Sequence, residues 1–206
     1  MLAFARETKL SETTFVQSGD DESDYRNRIW MMAGELPFAG HPSLGTAVAV
    51  ARQRGESSAR YVQRTIAGLQ PVEIELAGLV ARGSMLQGPA EFGDELDAGE
   101  ALGAAGLAPG DEHAGLAVQV VSTGLPQLLV PLRDADALAR ARPRMAELEP
   151  LLELTGATTL YLFVADGEVA DTRSFFVSPG GYAEEDPATG SAAGPLLAYL
   201  HRHTVF

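Results

Sequence analysis

The alternation of hydrophobic and polar positions along this chain changes period several times, and each change marks a predicted element. Leu2, Ala5 and Leu10 are spaced to share one face of a short helix, which Ser11 ends before the β-prone run Thr13-Thr14-Phe15-Val16. Glu12 therefore falls at a helix-to-strand junction. A second strand is predicted over residues 25–31, and after the breakers Pro37 and Gly40 a helix should run from about residue 43 to 53. Val72-Glu73-Ile74-Glu75-Leu76 alternates apolar and acidic side chains, as a half-buried strand does.

Residues 91–111 are rich in Gly, Ala and acid, with Pro109-Gly110 near the end, and this composition predicts a domain boundary. The chain is accordingly divided into residues 1–108 and 109–206. In the second part, residues 116–121, 127–132 and 159–164 read as strands. Residues 136–154 read as helix interrupted at Pro143 and Pro150, and residues 191–201 as a closing helix. Mixed elements in two comparable halves predict an α+β architecture.

Composition narrows the function. The chain has 206 residues, 46% hydrophobic and 21% charged, which is the balance of a folded domain pair and not of a disordered segment. Its formal net charge of -13 disfavours sequence-independent nucleic-acid binding, which needs clustered Lys and Arg. With no cysteine, there is no disulfide, thiolate metal site or Cys nucleophile. The first residues are too soon charged for a signal peptide, and no apolar run approaches a membrane span. A cytoplasmic location without membrane or nucleic-acid partners is expected.

Two glycine-rich segments open helices. Gly40-His41-Pro42-Ser43-Leu44-Gly45-Thr46 and Asp186-Pro187-Ala188-Thr189-Gly190-Ser191-Ala192 each lead from a turn into an apolar helix. A helix start offers unpaired backbone N–H groups and the positive end of the macrodipole, which together hold a carboxylate. Taken alone, the first motif is better read as a tight loop made by Gly and Pro. One in each half would let two helix ends converge on one ligand in a cleft. Neither is a nucleotide signature, since the Walker lysine and the G-x-G-x-x-G pattern are missing. No metal, nucleotide or flavin cofactor is expected.

Proton transfer then falls to carboxylates and histidines. Glu12 is either plain surface or, if partly buried, a group tuned to act as base and acid. His41 at a helix start is a neutral hydrogen-bond donor or proton relay, or else caps its own turn. Asp186 receives a substrate ammonium or hydroxyl, or caps the helix that follows. His201 and His203 sit in the favourable last turn of the closing helix, where capping is the better reading.

Three stretches carry a resemblance. Ser11-Glu12-Thr13-Thr14-Phe15-Val16, the segment from Glu35-Leu36-Pro37 through Gly40-His41-Pro42 to Ala47, and Glu185-Asp186-Pro187-Ala188-Thr189-Gly190-Ser191-Ala192 resemble the signatures of the PhzF, or phenazine-biosynthesis-protein-like, family, in the family's order. Ser122-Thr123-Gly124-Leu125-Pro126-Gln127 and Arg173-Ser174-Phe175-Phe176 look like weaker landmarks between them. The resemblance implies a diaminopimelate-epimerase-like fold of two similar domains, each a curved mixed sheet around a central helix. It also implies a cofactor-independent isomerase acting on a small carboxylic acid. In phenazine-forming members a glutamate matching Glu12 moves a proton between ring carbons of trans-2,3-dihydro-3-hydroxyanthranilate. Groups matching His41, Asp186 and Ser191 surround that substrate, and backbone matching Gly40 and Gly190 binds it.

With Ser43, these give the expected site: Glu12, His41 and Asp186 as catalytic, and Gly40, Ser43, Gly190 and Ser191 as substrate-binding. The resemblance further implies a homodimer, and a chain short at both ends of the family pattern. An amino-acid epimerase, which wants two opposed bases, and a non-catalytic small-acid binding protein are the competing expectations.

Overall fold

The computed structural model describes residues 1–166, 169–178 and 182–205. The chain forms two compact units, Met1–Gly88 and Pro89–Phe206. The first holds α1 (Leu2–Thr8), β1 (Thr13–Asp20), β2 (Ser23–Trp30), β3 (Glu35–Leu36), α2 (Gly40–Arg54), β4 (Ser58–Thr65), β5 (Gly68–Ala77) and β6 (Val80–Met85). Its sheet runs β1-β2-β4-β5-β6, with β3 added beside β2. All neighbours are antiparallel except β2 and β4, whose parallel pairing requires a crossover, and α2 supplies it.

The helix α2 touches β1, β2, β4, β5 and β6, so this sheet does wrap one helix. Ala47, Val50 and Ala51 on α2 meet Tyr25, Tyr61, Val72 and Ile74 from the strands. The alternation expected at residues 72–76 holds, with Val72 and Ile74 buried and Glu73 and Glu75 exposed. This interior is also polar. Asn27 Nδ2 donates to Gln63 Oε1 over 3.0 Å, and Gln63 Nε2 donates to Gln70 Oε1 over 3.1 Å, so the buried amides pair in a chain that leaves Asn27 Oδ1 without a partner.

The second unit holds β7 (Glu91–Leu96), α3 (Ala98–Ala105), β8 (Val118–Ser122), β9 (Pro126–Pro131), α4 (Ala135–Arg140), α5 (Met145–Thr155), β10 (Thr159–Asp166), β11 (Val169–Val177), β12 (Ala183–Asp186), a 3-10 turn (Gly190–Ala192) and α6 (Ala193–Arg202). The sheet order is β12-β11-β10-β9-β8-β7, again with one parallel pair, β9 and β10, and with α4 and α5 as its crossover. Helices cover both faces. Leu102, Leu148, Leu151 and Leu152 pack with Leu128, Val130, Leu160 and Leu162 on one side, while Leu196, Tyr199 and Leu200 of α6 pack with Leu129, Tyr161 and Phe163 on the other.

The boundary differs from the one expected at residue 108. The segment whose composition predicts the boundary, residues 91–111, supplies β7, which pairs with β8, and α3, which packs on α5. Its alanines are the reason: Ala101, Ala104 and Ala105 are buried, and side chains this small let two helices approach closely. Asp97 caps α3 by accepting from the Gly99 amide at 2.8 Å, and Gly106 ends it in the left-handed region. The helix expected over residues 136–154 is two helices, broken at Pro143 but not at Pro150, which α5 accommodates. No helix among the described residues is long and apolar enough to cross a membrane.

Candidate active site

In the first unit, α1 ends at Lys9, whose left-handed backbone (φ 53°) turns the chain toward β1. Leu10 and Ser11 are exposed, and Glu12 follows at the strand's entrance with a side chain only 19% accessible. Its Oε2 is buried and accepts no hydrogen bond. The His41 ring approaches this oxygen, with Nε2 at 3.5 Å, beyond the length of a good hydrogen bond. His41 is 67% exposed, so the pair joins a sheltered carboxylate to an open imidazole.

His41 is placed by α2, which starts three residues earlier than its sequence pattern predicts. Ala39 caps the helix with extended backbone and no side-chain hydrogen bond, and the first turn carries no acid. The amides of Gly40 and His41 therefore lack an intrahelical acceptor, and Pro42 has no N–H to offer. Ser43 departs from expectation. It is fully buried, its amide is the first in α2 with an intrahelical acceptor, and its Oγ has no partner. The helix mouth thus consists of Gly40 and His41. Thr46 Oγ1 donates to Pro42 O at 2.7 Å within the helix and pairs with Thr14 Oγ1 at 2.9 Å, which ties the helix start to β1.

In the second unit, Asp186 ends β12 and turns onto its own loop. Oδ2 accepts from Thr189 Oγ1 at 2.7 Å and Oδ1 from the Ala188 amide at 3.3 Å. Of the two roles open to Asp186 from sequence, the capping one is visible here, although it caps the loop before the helix. Gly190 again departs from expectation, because its amide donates to Ala188 O at 2.9 Å and is not free for a ligand. Ser191 is buried in the 3-10 turn. A pocket of 290 Å³ lies beside Asp186, lined among others by Tyr161, Thr172, Ser174, Thr189 and Gly190.

On the strand pair beneath, the Arg173 guanidinium grips Glu185 bidentately at 2.8 and 2.7 Å and holds its carboxyl below the usual range. Arg173 also donates to Leu138 O and Ala141 O, both at 3.0 Å, which fastens β11 and β12 to α4. His201 lies in the last turn of α6, and His203 caps it with its ring against Tyr199, 4.3 Å between centroids. Among the described residues no three His, Asp or Glu side chains gather as metal ligands would. Tyr161 and Ser174 were missed by sequence reasoning. Ser174 lies in the Arg173-Ser174-Phe175-Phe176 landmark but carried no role there, and only the pairing of distant strands brings it and Tyr161 beside Asp186.

A family model described as phenazine biosynthesis-like protein, PhzC-PhzF, matches residues 1–206. The trans-2,3-dihydro-3-hydroxyanthranilate isomerase of Pseudomonas aeruginosa is 35% identical over 204 residues, covering 98% of this chain and 69% of the relative. The structure of a predicted epimerase from the same organism superposes with a TM-score of 0.81 at 35% identity, over 100% of this chain and 71% of the other. A hydroxyproline epimerase from Agrobacterium vitis matches with a TM-score of 0.62 at 15% identity, over 95% of this chain and 61% of its own. The last likeness shows the fold alone, and it is the epimerase-like α+β fold.

Proposed function

Since the chain belongs to the phenazine biosynthesis-like (PhzC-PhzF) family, whose curated relatives carry isomerase names, we propose that it is an isomerase that shifts a proton on a small carboxylic acid by general acid–base catalysis, with Glu12 as the base. One observation carries the reading: Glu12 presents a sheltered, unbonded carboxylate oxygen 3.5 Å from His41, at an uncapped helix mouth. A carboxylate that accepts no hydrogen bond is a group kept available for a proton. Glu12 takes a proton from one substrate carbon, the electron pair moves into the adjoining π system, and the same carboxyl returns the proton to another carbon. Atoms and charge balance without an oxidant or co-substrate.

His41 orients the substrate and relays protons between Glu12 and solvent, as its exposure allows. The amides of Gly40 and His41 take the substrate carboxylate. Asp186 receives a hydroxyl or ammonium group. Gly190 and Ser191 hold the loop that presents Asp186. The named substrate of the Pseudomonas relative, a cyclic acid with amino and hydroxyl substituents, belongs to the class that these groups would accept. The test is a screen of small carboxylic acids for protein-dependent deuterium uptake from heavy water, where uptake by none of them contradicts the reading.

Three expected outcomes accompany it. Asp186→Ala should lower kcat/KM by about 10- to 100-fold, the size of one hydrogen bond to a charged group, with KM raised as well as kcat lowered. An unchanged KM would remove Asp186 from substrate binding. Turnover should persist after dialysis against a chelator, and its loss with restoration by one metal would contradict cofactor independence. Light scattering at micromolar concentration should report a twofold dimer. Leu79, Val80 and Leu86 are exposed at the two ends of β6, an edge of the first sheet, and an unpaired strand edge flanked by apolar side chains favours self-association. A strict monomer would contradict the dimer.

A further inference from the structure

Three strands of the second unit each contribute one polar side chain to a single row. Tyr161 of β10 stands opposite Ser174 of β11, and Ser174 stands opposite Asp186 of β12. Directly opposed residues share a sheet face, and here it is the face that Tyr161 shares with α6. The 290 Å³ pocket lies on this row, with Thr189 and Gly190 in its wall. The Thr189 hydroxyl is already spent on Asp186. Ser174 is different. It is 2% exposed, and its Oγ is buried with no hydrogen-bond partner.

Folded proteins seldom leave a buried hydroxyl unbonded, and the exceptions call for an explanation. Packing does not provide one, because Ala would fill the same place without a polar atom. A ligand does. Rotation about χ1 carries the hydroxyl between staggered positions, so it can meet a group entering the pocket above it. Tyr161 adds a second hydroxyl to the row. Burial raises the pKa of its phenol, a side-chain hydrogen bond with Thr172 opposes this and the charge of Asp186 adds to it, so the phenol stays protonated and able to donate.

We propose that Ser174, supported by Tyr161, is a specificity-determining residue: with Asp186 it selects acids that carry a hydroxyl or ammonium group in addition to the carboxylate. The assignment rests on the reading of Asp186 as a substrate-binding group. Asp186 accepts a hydrogen bond from the substituent, and Ser174 supplies the second bond to it. An acid with plain C–H in that place leaves the buried Ser174 hydroxyl unpaired, and sites built on buried hydrogen bonds reject such a ligand strongly.

The test measures dissociation constants by NMR titration for butyrate, 3-hydroxybutyrate and 3-aminobutyrate against the full chain. One of the substituted acids should bind roughly tenfold or more tightly than butyrate, and which one does so tells hydroxyl from ammonium. Ser174→Ala should erase about tenfold of that preference while leaving butyrate affinity in place, and Tyr161→Phe should erase a smaller part. A preference untouched in Ser174→Ala overturns the proposal, and so does a wild-type protein with no preference or no binding of the three acids. Should circular dichroism show Ser174→Ala misfolded, the near-isosteric Tyr161→Phe decides alone. Binding preference is independent of turnover, so an absence of deuterium uptake with the preference intact fails the isomerase reading and spares this one.

Discussion

Glu12→Gln should lose on the order of 10²-fold or more in kcat while KM changes little, because it removes a proton acceptor and keeps size and hydrogen-bonding capacity. The substitution probes chemistry and not packing. Its side chain sits at the entrance of β1, not in the core, and its buried oxygen accepts no bond whose loss would unsettle the fold. Affinity should survive, since the substrate carboxylate is assigned to the Gly40 and His41 amides and not to Glu12. A correctly folded variant with wild-type kcat would move the base to His41 or Asp186. A large rise in KM with kcat preserved would make Glu12 a binding group.

The second large effect concerns stability and lies at Gly106, where α3 turns toward the loop before β8. Gly106 has φ +72°, and a Cβ there would lie 2.2 Å from Arg142 O. The obstacle is backbone, and it is pinned: Arg142 N donates to Ala105 O at 2.8 Å, and Arg144 N donates to Ala104 O at 2.9 Å. Gly106→Ala therefore adds left-handed strain to a collision that neither partner can relieve cheaply. Together these should cost about 3 kcal/mol or more, which corresponds to a drop in the unfolding midpoint of roughly 10 °C. Gly156→Ala is the control. Its φ is +68°, yet a Cβ there meets nothing within 4 Å, so only the strain of about 1 kcal/mol should appear. Equal melting shifts in a thermal scan of the two variants would show that the contact with Arg142 does not matter.

Elements fixed by neighbouring residues were legible in the sequence, and those fixed by distant partners were not. Glu12 at a helix-to-strand junction was legible because Ser11 and the β-prone run after it fix that junction within a few residues. The start of α2 was legible within one turn, since Gly, Pro and an apolar stretch mark a helix whatever it packs against. The roles of individual groups at that start were not. Helix geometry leaves Gly40 and His41 with free amides and turns Ser43 inward, and the one-turn error in the helix start was enough to hide this.

Residues 91–111 misled for a different reason. Gly, Ala and acid in a loop and the same residues in a closely packed helix look alike until the partner helix is known, and α5 lies some forty residues further along the chain. The row Tyr161, Ser174 and Asp186 was beyond reach for the same cause, as strand register is set by the whole sheet. Likewise, a Gly and Ser helix mouth predicts free amides, but the structure spends the Gly190 amide on Ala188 O. Local pattern located the second helix start, and it could not show that one of its amides is bonded within its own loop.

The central claim, that a proton leaves and rejoins carbon through Glu12, is tested most directly by mass spectrometry of substrate turned over in heavy water. The acid would be one found by the deuterium screen, and wild-type protein would run beside Glu12→Gln. The account predicts deuterium on carbon with the wild type and on the order of a hundredfold slower labelling with the variant. Equal labelling by the two proteins would contradict it.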